Sequence, residues 1–132
     1  MTITGAKVAI LSGARIVALL RDDTPDIAFP GLWDLPGGGR EGKEDAVATL
    51  IRETREETGL HLSPARLVHR RDYGPPGRRV AFFGARWDGL SERDLTLGDE
   101  GQALLLMPVA RFLSRTDAIP ALQVRLSDWL GR

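Results

Sequence analysis

Residues 38–60 read Gly38-Gly39-Arg40-Glu41-Gly42-Lys43-Glu44-Asp45-Ala46-Val47-Ala48-Thr49-Leu50-Ile51-Arg52-Glu53-Thr54-Arg55-Glu56-Glu57-Thr58-Gly59-Leu60. The pattern predicts a helix of about four turns from Glu44, stopped at Gly59 because glycine readily takes the left-handed turn that ends a helix. Val47, Ile51, Thr54 and Thr58 fall on one side of it, with Leu50 at the edge. Glu53, Glu56 and Glu57 stand at i, i+3 and i+4, so their carboxylates project from one patch. Like charges at that spacing repel by roughly 0.2–0.5 kcal/mol per pair, a cost that a solvated surface tolerates. Taken alone, the triplet fits an exposed acidic face, softened by Arg52, as well as it fits a site. The residues ahead of it change the reading. Pro36-Gly37-Gly38-Gly39 reads as a turn whose backbone, lacking side chains, can approach a ligand. Hard divalent cations take oxygen ligands from carboxylates and backbone carbonyls, with waters and substrate phosphates completing the shell. A glycine turn leading into a carboxylate-bearing helix offers both kinds.

Outward from this segment, residues 6–11 and 15–20 are short aliphatic runs around Ser12-Gly13-Ala14 and read as a hairpin. Residues 22–31, with three aspartates, two prolines and a glycine, read as a loop, and 33–35 as a brief strand. Residues 65–73 and 79–87 flank Gly74-Pro75-Pro76-Gly77 as a second hairpin. A long polar loop at 88–101 follows, then a strand at 103–107. Pro108 is placed to open a short helix. The chain ends in an amphipathic helix at 120–130, with Leu122, Leu126, Trp129 and Leu130 on its buried side. The order predicts an α/β (α+β) domain: a mixed sheet sandwiched between helices, spanning residues 1–132 as one unit.

Eighteen basic residues balance eighteen acidic ones, so no global field draws the chain to nucleic acid or to an anionic membrane. A nucleotide stays compatible with that balance, because a bound cation supplies positive charge locally. The absence of cysteine excludes disulfides and thiolate metal sites. No apolar run approaches the roughly 20 residues of a membrane span, and the first residues lack the pattern of a secretory signal. A cytoplasmic protein is the expectation.

Gly38, Glu44, Arg52, Glu53, Glu56, Glu57, Gly59 and Leu60 reproduce the spacing of the Nudix box: Gly, five residues, Glu, seven residues, then Arg-Glu-aliphatic-any-Glu-Glu-any-Gly-aliphatic. The segment therefore resembles the Nudix hydrolase family, and Leu32-Trp33-Asp34-Leu35-Pro36-Gly37 resembles the usual lead-in. Thr54 is the one departure, standing where the box has an aliphatic residue. By helical geometry it points away from the glutamates, and its hydroxyl can bond back to the preceding turn.

The resemblance implies the Nudix fold and a Mg²⁺-dependent hydrolase, with Mn²⁺ as a substitute, that cleaves the diphosphate linkage of a nucleoside diphosphate-X. It implies Glu56 and Glu57 as principal metal ligands, Glu53 beside them and the Gly37 carbonyl as a further ligand. Arg52 would hold the glutamates by charge-assisted bonds, while Glu44 and Gly59 would be structural. A further acid from a loop outside the box is expected to serve as metal ligand or general base. Glu100 is the candidate, because the Glu-Gly pair before a strand resembles the mutator-type pyrophosphohydrolase branch; Asp99 and Glu92 are the alternatives, and Glu53 is the next candidate for the base.

A small-molecule nucleotide is the expected partner, with no nucleic acid or membrane, for a monomer or homodimer. Two substrate classes stay open: a nucleoside triphosphate, and a nucleoside diphosphate sugar such as ADP-ribose, which Pro76 sixteen residues past the box would fit. A Nudix-fold binding module without catalysis is the reading of another class, and the retained glutamates argue against it. His61 and His69 read as surface or structural, Trp33, Tyr73, Phe82 and Phe83 as core aromatics, and Arg70, Arg71, Arg78 and Arg79 as a solvated hairpin.

Overall fold

In the computed structural model, which describes residues 2–132, the first aliphatic run forms the central strand β1 (Ile3–Ser12) and the second forms β2 (Arg15–Leu20). They pair antiparallel across the turn at Gly13 and Ala14, as the hairpin pattern requires. The other neighbour of β1 comes from far along the chain: β6 (Arg79–Arg86) runs parallel to it, with β5 (Leu67–Tyr73) antiparallel on the outer edge. On the far side β3 (Trp33–Asp34) and β7 (Ala103–Pro108) both pair with β2. The result is a mixed seven-stranded sheet with path β3-β2-β1-β6-β5.

Alternation along the strands splits the core in two. Val8, Ile10, Val17, Ala81, Phe83 and Leu106 pack on one face against α1 (Ala46–Thr58). Ala9, Leu11, Ile16, Ala18, Phe82 and Met107 pack on the other, under α2 (Val109–Ser114) and α3 (Pro120–Leu130). The sheet between helices is the predicted α+β arrangement.

Several expectations are corrected. The helix begins at Ala46 rather than Glu44, because the Asp45 side chain accepts the Ala48 amide at 2.8 Å and caps the first turn. Its buried ridge is Ala46, Leu50, Thr54 and Thr58, so Leu50 is fully buried while Val47 and Ile51 are only half-buried. The bond back to the preceding turn is made by Thr58, whose hydroxyl donates to the Thr54 carbonyl at 2.6 Å. The Thr54 hydroxyl itself has no partner among the described residues.

Gly37–Gly39 is not a turn but the short strand β4, antiparallel to β1 with Gly37 opposite Lys7. Glycine is required at Gly37, where a Cβ would overlap the Ala6 carbonyl oxygen, while at Gly38 one would displace the Glu53 carboxylate, whose Oε2 it would meet at 2.6 Å. β5 starts at Leu67 rather than residue 65, because Ser63 caps a single 3₁₀ turn over Pro64–Arg66. β6 ends at Arg86 rather than Trp87, and Pro108 closes β7 instead of forming the first turn of α2.

Candidate functional site

Arg52, near the middle of α1, organises the acidic face. Its Nε donates to Glu44 at 2.8 Å, its Nη1 to Glu53 at 2.8 Å and to Glu56 at 3.0 Å, and its Nη2 to the Gly39 carbonyl at 3.0 Å. One guanidinium thus ties the helix to β4 and fixes two of the three glutamates, as charge-assisted bonds from a planar fork can. Glu44 also accepts the Glu41 amide and the Thr49 hydroxyl. Its carboxyl is held at about 2, chiefly by the Arg52 hydrogen bond and next by the Glu41 amide. Arg52 is pushed the other way, above its usual value, with Glu44 the largest cause.

Glu57 leaves this group and turns towards the sheet, where its Oε1 accepts the Gly37 amide at 2.8 Å. Burial pushes its carboxyl up to about 7, against the lowering effect of the Gly37 amide and of Lys7. Beneath it lies a network that the motif does not contain. Lys7 Nζ donates to Asp34 Oδ2 at 3.0 Å and to the carbonyls of Leu35 and Gly37 at 3.2 and 3.3 Å. Arg21 Nη1 donates to the same Asp34 oxygen at 3.0 Å. Asp34 is 1% exposed, so the two cations compensate a carboxylate removed from water.

The segment after residue 94 lies along the last turn of α1. The Thr96 amide donates to the Thr58 carbonyl at 2.9 Å and the Gly98 amide to the Glu57 carbonyl at 3.3 Å, satisfying carbonyls that the helix end leaves open. This contact brings Asp99 and Glu100 to the box. Glu41, Glu53, Glu56, Glu57, Gly98, Asp99 and Glu100 line one cavity of about 490 Å³. A second cavity of about 280 Å³, lined by Leu19, Arg21, Asp22, Thr24, Asp26 and Ile27, shares Glu57 and Glu100 with it.

The expected site residues therefore meet, with Asp99 and Glu100 both at the cavity wall. Glu92 does not join them, because its carboxylate accepts the Leu106 amide at 3.1 Å on β7. His61 lines a separate cavity with Trp87 and Leu90. His69 stacks on Trp129, and Trp33, Phe82 and Phe83 are buried in the core. Arg70 and Arg71 pair with Asp72 and Asp128.

Among the described residues no three carboxylate or imidazole groups converge on one point as a preformed metal cage. The side-chain donors around the cavity are nonetheless all carboxylate oxygens, while the expected Gly37 carbonyl is not on its wall and accepts from Lys7 at 3.3 Å. That set suits Mg²⁺, which keeps several waters and needs only one or two protein carboxylates plus substrate phosphates.

The NUDIX domain model matches residues 1–130. An RNA pyrophosphohydrolase of Acidiphilium cryptum (strain JF-5) is 36% identical over 91 residues, 67% of this chain and 54% of that protein. An 8-oxo-dGDP phosphatase of Homo sapiens is 38% identical over 60 residues, 46% of this chain and 19% of that protein. The chain spans about half or less of the curated relatives it matches. The crystal structure of a MutT protein from Methanosarcina mazei Go1 shares the fold at TM-score 0.74 and 17% identity, covering 99% of this chain and 96% of that one. The sheet, the box helix and its glycine strand define a Nudix domain, and the chain belongs to the Nudix family. Hydrolases of this family generally work with divalent metal ions on nucleotide-type substrates.

Proposed function

We propose that this chain is a Mg²⁺-dependent pyrophosphohydrolase, with Mn²⁺ as a substitute, that cleaves the diphosphate linkage of a nucleoside diphosphate-X. One observation carries the reading. The 490 Å³ cavity is walled by Glu41, Glu53, Glu56, Glu57, Asp99 and Glu100, and its lining among the described residues holds no lysine or arginine. These six carboxylates outnumber the one guanidinium bonded to them, that of Arg52 on Glu53 and Glu56, so a polyphosphate enters only together with cations. Glu53, Glu56 and Glu57, with the Gly37 carbonyl, would hold a divalent metal, which supplies charge neutralisation and acidifies water for attack.

The chain's own residues do the rest. Arg52 keeps Glu53 and Glu56 in register, and Gly37 orients Glu57. Glu100 accepts the proton of the attacking water, with Asp99 its neighbour and alternative and Glu53 next in line. The adjoining cavity, with Leu19 and Ile27 on its wall, receives the nucleoside part.

A nucleoside triphosphate is the favoured substrate, and ADP-ribose or a related nucleoside diphosphate sugar is the alternative. A 5′-phosphorylated RNA end is a further reading, favoured by the similarity to an RNA pyrophosphohydrolase. The chain acts as one domain, as a monomer or homodimer, in the cytoplasm.

The test is a panel of nucleoside triphosphates, ADP-ribose, dinucleotides, 5′-triphosphorylated RNA and simple monophosphates, with Mg²⁺ and with a chelator. The expected result is Mg²⁺-dependent product formation from anhydrides alone. Activity confined to monoesters, or undiminished by the chelator, overturns the proposal.

A further inference from the structure

Lys7 is the sole charged residue in the ten-residue strand β1. Strand pairing does not need it, and removing an ammonium group from water is costly unless it is fully partnered. Here the three N–H donors of the ammonium have three acceptors: Asp34 Oδ2 and the carbonyls of Leu35 and Gly37. All three lie on one short segment, 34–37.

Neutralising Asp34 is only part of its role. Asp34 has a second cation in Arg21 at 3.0 Å, and its other oxygen accepts the Leu35 amide at 2.7 Å. What Lys7 alone brings is its pair of bonds to the Leu35 and Gly37 carbonyls. The peptide group on the other side of Gly37 presents the amide that holds Glu57 at 2.8 Å.

We infer that Lys7 is a positioning residue for the cation site. It clamps the segment between β3 and β4, so that the Gly37 carbonyl is held in a fixed direction and the Gly37 amide meets Glu57 on the cavity wall. The inference rests on the proposed function, in which Glu57 and Gly37 hold the metal. Removing partners that orient metal ligands typically costs about 10–100-fold in metal affinity or activity.

The experiment measures Mn²⁺ binding to the full chain without substrate, by the electron paramagnetic resonance signal of free Mn²⁺, alongside kcat and KM. Lys7→Met is expected to raise the Mn²⁺ Kd about tenfold or more and to lower kcat with little change in KM. Lys7→Arg, which keeps the charge and its donors, should recover part of the affinity.

The double variant Lys7→Met/Asp34→Asn removes the buried charge together with its partner, and so stays informative if Lys7→Met fails to fold. If Lys7 only compensates Asp34, the double variant regains wild-type Kd, and the inference is overturned. A Lys7→Met protein whose Kd and kcat stay within twofold of wild type overturns it as well. Wild-type chain that binds no Mn²⁺ overturns the proposed metal site and this inference with it, so the two failures are told apart.

Discussion

Gly98→Ala tests how the loop acids reach the box. Gly98 crosses the last turn of α1, where a Cβ would overlap the Glu56 carbonyl oxygen and stand 3.2 Å from its carbon and 3.5 Å from Glu57 Cα. All three are helix backbone atoms, which cannot rotate aside as a flexible side chain can. The loop must retreat instead, on the order of 1 Å, and overpacking of this kind typically costs about 1–3 kcal/mol. For a chain of this size each kcal/mol lowers Tm by about 3–6 °C.

The retreat also weakens the Gly98 amide bond to the Glu57 carbonyl and carries Asp99 and Glu100 away from the cavity. A misplacement of about 1 Å in a reacting constellation costs on the order of 10²-fold in rate. The assay is Mg²⁺-dependent nucleotide hydrolysis beside thermal unfolding. Gly13→Ala, at a turn with nothing within 4 Å of its Cβ, is the control for stability loss alone. It should lower Tm and leave kcat unchanged. Wild-type kcat in Gly98→Ala would refute the reasoning that this contact places the catalytic acid.

Glu100→Gln should lower kcat by about 10²-fold with a smaller effect on KM, since proton removal matters in the transition state, and Asp99→Asn should be mild. The reverse ranking would assign the base to Asp99, and silence in both would move the search to Glu53. Burial pushes Glu57 up to about 7 from an unfolded value near 4.5, so between those values the folded chain keeps a proton that the unfolded chain releases. Its contribution to metal-free stability is therefore full below pH 4.5 and lost as pH rises through 7. Metal-free Tm should fall across that window by more in wild type than in Glu57→Gln, and identical slopes would contradict the burial of this carboxylate.

The box was legible because its chemistry is local: Glu53, Glu56 and Glu57 share a helix face by spacing alone, and Gly59 marks its end. The fold class was legible from the order of short strands and helices. The two hairpins were legible too, but not how they join, because the parallel contact of β1 with β6 links residues more than seventy positions apart, and no local pattern encodes it.

By sequence alone the glycine run suggests a turn, because glycine permits turns. Here it permits a flush strand against β1, which needs the partner's carbonyls to be seen. The Lys7–Asp34 pair lies outside the box, and its signals in the sequence are a lone lysine in an aliphatic strand and an aspartate beside Trp33. Two adjacent acids, Glu44 and Asp45, leave the helix start ambiguous in the sequence, and the Asp45 cap on the Ala48 amide decides it.

The most direct test of the metal site is the Mg²⁺ dependence of nucleoside triphosphate hydrolysis in Glu56→Gln and Glu57→Gln, with folding checked by circular dichroism. Each substitution keeps the size of the side chain and removes a charge from the cavity wall. The expected result is a native spectrum with most of the Mg²⁺-dependent activity gone in both variants. Near wild-type turnover in both would contradict the assignment of this helix face as the place where metal and substrate meet.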